Sequence, residues 1–133
     1  KGKEVSNTFY WRSNDKYEGR KTLTGPTSSG FEDLSKLKQV QLKTRYQTYQ
    51  EGDRHFIKAE IKNPSSTVAF FTQLQLLGQD KKPVRPSFYT DNFFSLLPGE
   101  SKTVIIETAA SDMPSEPTFV VKGWNIKPSS FKL

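Results

Sequence analysis

Alternation with a period of two runs through most of the chain. Val40, Leu42, Thr44, Tyr46 and Thr48 fall on one side of an extended backbone, with Gln41, Lys43, Arg45 and Gln47 on the other. Successive strand residues point to opposite faces, so this spacing predicts a strand with one buried face. Gln50-Glu51-Gly52-Asp53 reads as a turn, and Ile57, Ala59 and Ile61 then alternate with Lys58, Glu60 and Lys62. Two such runs joined by a short glycine-bearing link predict a hairpin. Asn63-Pro64-Ser65-Ser66 ends it, because proline offers no ladder donor and Asn and Ser make local turn bonds.

A third run, residues 68–77, is more apolar. Much of both faces is expected to be buried, with Phe70, Leu74 and Leu76 on one side, Thr72 between them, and Phe71 on the other side among Gln73 and Gln75. Gly78-Gln79-Asp80-Lys81-Lys82 closes it, and Pro83 and Pro86 exclude a central strand until about Ser87. Residues 88–97 follow, rich in aromatics, and Pro98-Gly99 fits the two central positions of a type II turn. Residues 102–108 predict a strand with Val104 and Ile106 on one face. Met113-Pro114 and Glu116-Pro117 break the chain again. A last strand is expected over 118–126, with Phe119, Val121 and Gly123 opposing Val120, Lys122 and Trp124. Towards the N-terminus, residues 7–13 read as a first strand and 14–30 as a long polar loop. Phe31, Leu34 and Leu37 pin a helical turn within 31–38.

About seven short strands with regular turn signals predict an all-β fold. The expected architecture is an immunoglobulin-like antiparallel β-sandwich with at most short helical turns, residues 1–133 forming one domain. The Cys…Trp…Cys marker of antibody domains is missing, so the expectation concerns architecture alone.

Composition refines this picture in three places. Hydrophobic residues make up only 33% of the 133, but ten are Phe, and large rings can close a core that a thin apolar count would leave open. There are no cysteines, which excludes disulfides and thiolate metal sites. The formal net charge of +6 invites a polyanion partner, but the basic residues are dispersed, and Lys81-Lys82 is too short for a nucleic-acid arm. Neither a nucleic-acid partner nor membrane insertion is expected, since no apolar run approaches the roughly 20 residues of a spanning helix. The chain starts at Lys1 and holds a single Met, Met113, so it reads as a piece of a longer polypeptide.

Candidate chemistry is sparse. Nucleophilic triads need an imidazole, and the lone His55 sits at a strand entry with no carboxylate spacing that suggests a metal. No phosphate-binding loop occurs, and no cofactor is expected. Most carboxylates fall in turns. Asp91 is the exception, embedded among Phe88, Tyr89, Asn92, Phe93 and Phe94. The residue pattern favours Asp91 and Asn92 bonding backbone groups at a bend between two strands. The alternative is a polar contact to a ligand or a neighbouring domain. Tyr10, Trp11, Phe88 and Tyr89 raise the same choice, because rings on both sides of a strand leave one set facing solvent, a sugar or another domain. Trp124 is expected as a wall between the sheets.

Several segments together resemble one family. They are Asn7-Thr8-Phe9-Tyr10-Trp11, Phe31-Glu32-Asp33-Leu34-Ser35-Lys36-Leu37, Asn63-Pro64 with Ala69-Phe70-Phe71, and Gly123-Trp124-Asn125. The most specific is Tyr89-Thr90-Asp91-Asn92-Phe93-Phe94-Ser95-Leu96-Leu97-Pro98-Gly99-Glu100. Taken in chain order they resemble the C-terminal Ig-like domain of family-two glycoside hydrolases, the group of exo-β-D-glucosaminidases, β-mannosidases and mannosylglycoprotein endo-β-mannosidases. The resemblance implies a non-catalytic accessory domain of a retaining β-glycosidase, secreted or periplasmic, whose catalytic glutamates lie on a separate (β/α)₈ barrel. It implies no catalytic residue, metal or cofactor here. The implied partners are other domains of the same polypeptide, with Tyr10, Trp11, Phe88, Tyr89, Asp91 and Asn92 as candidate interdomain or oligosaccharide contacts. An autonomous carbohydrate-binding module is the alternative.

Overall fold

A computed structural model describes residues 32–133. The chain divides into two compact units, Lys1–Leu37 and Lys38–Leu133. The described part of the first includes a single helical turn, α1 (Glu32–Ser35), where a turn was expected. The first strand and polar loop expected over 7–30, with Tyr10 and Trp11, lie outside the described residues.

The second unit is two four-stranded sheets. The hairpin forms where the alternation places it, but its first arm lacks the expected buried face: no residue over 43–51 is fully buried, and Tyr46 and Thr48 are exposed. Strand β1 (Lys43–Glu51) pairs in continuous antiparallel register with β2 (Arg54–Lys62), from Lys43↔Lys62 to Glu51↔Arg54. Gly52 turns the chain at φ +58°, a region that strains a residue bearing a Cβ. Ile57, Ala59 and Ile61 are buried while Lys58, Glu60 and Lys62 are exposed. On the other side of β2 lies β6 (Ser101–Ala109), which buries Val104, Ile106 and Thr108, and at its far edge β4 (Phe88–Tyr89).

The second sheet has the order β5-β3-β7-β8, with β3 spanning Ala69–Leu77, β5 Phe94–Leu96, β7 Thr118–Lys122 and β8 Ser129–Lys132. Leu74 and Leu76 of β3, Phe119 and Val121 of β7 and Phe94 and Leu96 of β5 join the inner faces of β2 and β6 in one buried cluster. Burying such a side chain stabilises the fold by about 1.5–3 kcal/mol each, so this shared face dominates the energetics. At one side the layers are tied by Tyr46, whose hydroxyl donates to Lys132 O at 2.9 Å and whose ring packs 5.5 Å from Phe131.

Four further expectations need correction. First, β1 begins at Lys43 rather than at position 40. Val40 instead makes a lone parallel bridge to Ile126, with Val40 N donating to Asn125 O at 2.7 Å. Second, β3 is fully buried along one face only, and its alternation is broken. Its register against β5 shifts between Ala69 and Thr72, and Phe71 stands at φ +57°. The irregularity reverses the parity, so Ala69 rather than Phe70 enters the core alongside Thr72, Leu74 and Leu76. Third, the final apolar run is not one strand. β7 stops at Lys122, and a separate strand, β8, follows over a stretch too short and polar to show itself in the sequence. Fourth, Trp124 is 62% exposed and is no wall between the sheets.

Gly123 explains where β7 stops. A Cβ there would meet Phe71 O at 2.9 Å, Phe70 O at 3.1 Å and the side chain of Ile126. The backbone passes directly against the irregular part of β3, and Trp124 N donates to Phe70 O at 3.0 Å. The Pro98-Gly99 turn matches expectation, with Gly99 at φ +81° and Glu100 N donating to Leu97 O at 3.1 Å.

Candidate functional site

The predicted site residues within reach, Phe88, Tyr89, Asp91 and Asn92, lie on β4 and the link from β4 to β5, which crosses from one sheet to the other. Phe88 and Tyr89 alternate, as strand neighbours must. Phe88 pairs with Glu107 and is 56% exposed, with the Arg54 guanidinium 5.9 Å from its ring centroid. Arg54 Nε donates to Glu107 Oε1 at 2.6 Å, so the cation is held by the carboxylate as well as the ring. Tyr89 faces the other way. It packs against the core, and its hydroxyl accepts the Leu76 N–H at 3.0 Å. Burial pushes the Tyr89 phenol above its ordinary value, with the Leu76 bond opposing the shift.

Asp91 and Asn92 sit at the bend. Asp91 Oδ1 accepts the Asn92 N–H at 2.7 Å, and Oδ2 forms an ion pair with Lys102. The Lys102 ammonium also lies 5.0 Å from the Phe94 ring centroid. Asn92 imitates a strand residue. Its Oδ1 accepts Leu74 N–H at 2.8 Å and its Nδ2 donates to Leu74 O at 3.0 Å, two residues beyond the last β3–β5 pair, Thr72↔Phe94. The short β5 is thus lengthened by a side chain, and backbone groups of β3 that would lack a partner are bonded.

Two further asparagines do the same work elsewhere, Asn63 adding long-range bonds to the local turn bonds expected of it. Asn125 is 4% exposed, and its amide donates to Lys38 O and Val68 O, both at 2.9 Å, while its Oδ1 accepts Phe70 N–H at 2.8 Å. Asn63 is fully buried and donates to Thr67 O at 2.8 Å and Leu96 O at 3.0 Å, with Ser65 donating back to its Oδ1. Each joins segments far apart in the chain, which no local spacing could reveal.

Another arrangement missed from the sequence is a pair of phenylalanines. Phe71 and Phe93 both hold φ +57°, both are 49% exposed, and their rings lie 5.3 Å apart. A bulky side chain in this region costs about 1–3 kcal/mol. Phe71 N–H is taken by Ser95 Oγ at 3.3 Å and Phe93 N–H by Asn92 Oδ1 at 3.0 Å.

His55 lies on β2 opposite Gln50 and Thr108. Among the described residues no three His, Cys, Asp or Glu side chains are grouped to hold a metal, and no helix is long and apolar enough to cross a membrane.

Two antiparallel sheets, bridged at their ends by side-chain amides, define an immunoglobulin-like sandwich domain whose buried polar side chains are spent largely on its own backbone. The family model described as the exo-β-D-glucosaminidase Ig-fold domain matches residues 22–126, and the chain belongs to that family. An exo-β-D-glucosaminidase of Streptomyces avermitilis is 32% identical over 134 residues, covering 93% of this chain and 15% of that protein. One from Amycolatopsis orientalis is 30% identical over 135 residues, covering 93% of this chain and 13% of that protein. The crystal structure of the Amycolatopsis orientalis exo-chitosanase CsxA superposes with a TM-score of 0.70 at 25% identity, covering 76% of this chain and 12% of that one. The chain therefore spans about an eighth to a seventh of the length of the relatives it matches.

Proposed function

We propose that residues 1–133 form an accessory domain of a longer β-glycosidase, bracing other domains of the same polypeptide and taking no part in bond cleavage. The observation that carries this reading is the family match over 22–126, with relatives in which the equivalent stretch is only 13–15% of the protein. Both curated relatives are named for glucosamine, so a β-linked glucosaminide, rather than a mannoside, is the substrate class of the parent. The parent is a retaining hydrolase whose paired carboxyl groups lie outside this chain. The geometry supports a bracing role: Asp91 is paired with Lys102, Glu107 with Arg54, and the Asn92 amide is engaged with Leu74. Phe88, together with Tyr10 and Trp11, remains a candidate contact to a neighbouring domain.

The test is deletion of this segment from the parent. The expected result is a lower thermal midpoint with kcat on a chromogenic β-D-glucosaminide within about threefold for the fraction that folds. A loss of roughly a hundredfold or more in a folded, shortened enzyme would place catalytic machinery here and overturn the reading.

A further inference from the structure

Phe94 and Leu96 of β5 are buried, and the residues alternating with them are Phe93, Ser95 and Leu97. Phe93 and Leu97 are exposed, and Phe71 of the neighbouring strand lies against Phe93. We propose that Phe71, Phe93 and Leu97 form the surface by which this domain docks on an apolar face of another domain of the same polypeptide. The proposal rests on the accessory-domain reading above.

Three observations favour this occupant. A strand irregularity and a bend that served the fold alone would suit Gly or Asn at positive φ, yet both positions carry a large ring that the core does not use. The outlier conformation throws the two rings together on the outer face of the sheet, where exposed apolar surface is a liability unless something covers it. The polar atoms beside the rings serve the fold, including Glu100 Oε2, which accepts the Leu97 N–H at 2.8 Å. Ser95 Oγ accepts Phe71 N–H, the Asn92 amide serves Leu74 and Phe93, and Asp91 is paired with Lys102. A sugar stacked on these rings would need several hydrogen-bonding groups for its hydroxyls, and beside Leu97 the one carboxylate, Glu100, is already bonded to backbone. The formal charge of +6 opposes a polycationic sugar further. An apolar protein face needs neither, and in relatives of this length most of the polypeptide lies outside the matched stretch.

Hydroxyl-radical footprinting with mass-spectrometric readout tests this directly. Labelling at Phe71 and Phe93 is measured in the free 133-residue chain and in the intact parent, each normalised to its unfolded form. Docking predicts a drop of about fivefold or more at both rings in the parent, because the core of an interface excludes water. Equal labelling in the two proteins would overturn it. So would protection in the free chain that grows with protein concentration, which marks a second copy, or that follows addition of glucosamine oligosaccharides. Turnover of a β-D-glucosaminide by the same parent sample separates the two readings: an active parent with fully labelled rings sinks the docking surface and leaves the accessory role standing.

Discussion

Asn125 is the strongest single test of how the sandwich is held at its ends. Its side chain satisfies the carbonyls of Lys38 and Val68 and the N–H of Phe70 in a site only 4% exposed. Removing it with Asn125→Ala forfeits three bonds worth about 0.5–1.5 kcal/mol each and leaves buried backbone groups unpaired, for a total of about 3–5 kcal/mol. Against a domain stability of roughly 5–15 kcal/mol, that is a large fraction. Asn125→Asp separates geometry from charge. The new carboxyl keeps the acceptor for Phe70 but aims at two carbonyls, so its ionised form is repelled and its protonated form can donate to one of them. Its folded pKa is therefore raised above the unfolded value of about 3.9. With the folded state binding the extra proton, the stability it retains is full below the unfolded pKa and is lost as pH rises through the folded pKa.

Urea unfolding of N125A, N125D and the unsubstituted chain, followed by far-ultraviolet circular dichroism, reads all three. Near pH 7.5, N125D should lie about 3 kcal/mol or more below the parent sequence. Towards about pH 5 that gap should narrow by roughly 1 kcal/mol or more. An N125A loss under about 1 kcal/mol, or an N125D gap unchanged with pH, would refute the reasoning.

Three further outcomes follow from the same geometry. Gly123→Ala should cost about 2–3 kcal/mol because its Cβ meets backbone carbonyls, whereas Gly99→Ala, at positive φ but in open space, should cost about 1 kcal/mol; thermal midpoints would give the order. Thr72→Val should leave stability unchanged or raise it by up to about 1 kcal/mol in urea unfolding, since the buried Thr72 hydroxyl bonds nothing among the described residues. Tyr89→Phe should cost about 1–2 kcal/mol at neutral pH by removing the acceptor of the Leu76 N–H. Because burial raises the Tyr89 phenol above 10.0, the unsubstituted chain should lose stability as pH climbs through that raised value, and Tyr89→Phe should lose less over the same alkaline range.

The strands that were legible in the sequence are those with one face in the core and no irregularity. In β2 and β6 the alternation of Ile57, Ala59, Ile61, Val104 and Ile106 with polar neighbours is direct evidence of a buried face. β3 defeated the same logic because it carries apolar residues of both parities around Phe70 and Phe71, so a reversal of parity left no polar residue visibly misplaced. Trp124 was misread for a related reason. The apolar alternation continues past Lys122, but the close approach at Gly123 and the inward turn of Asn125 end the strand first. The role of Asn92 at the bend was readable from an acid and an amide set among aromatics. At Asn63 the local turn bonds were readable, but the distant partners of Asn63 and Asn125, up to 87 residues away, were not. Nor does a phenylalanine advertise positive φ, which is why the Phe71–Phe93 pair emerged only from the structure.

The account's central claim is tested most directly by assaying the purified 133-residue chain beside its intact parent on one chromogenic β-D-glucosaminide. All product should come from the parent, and the chain should give only the rate of buffer. Sugar release by the chain alone, or a well-folded parent with no glucosaminidase activity, would contradict it.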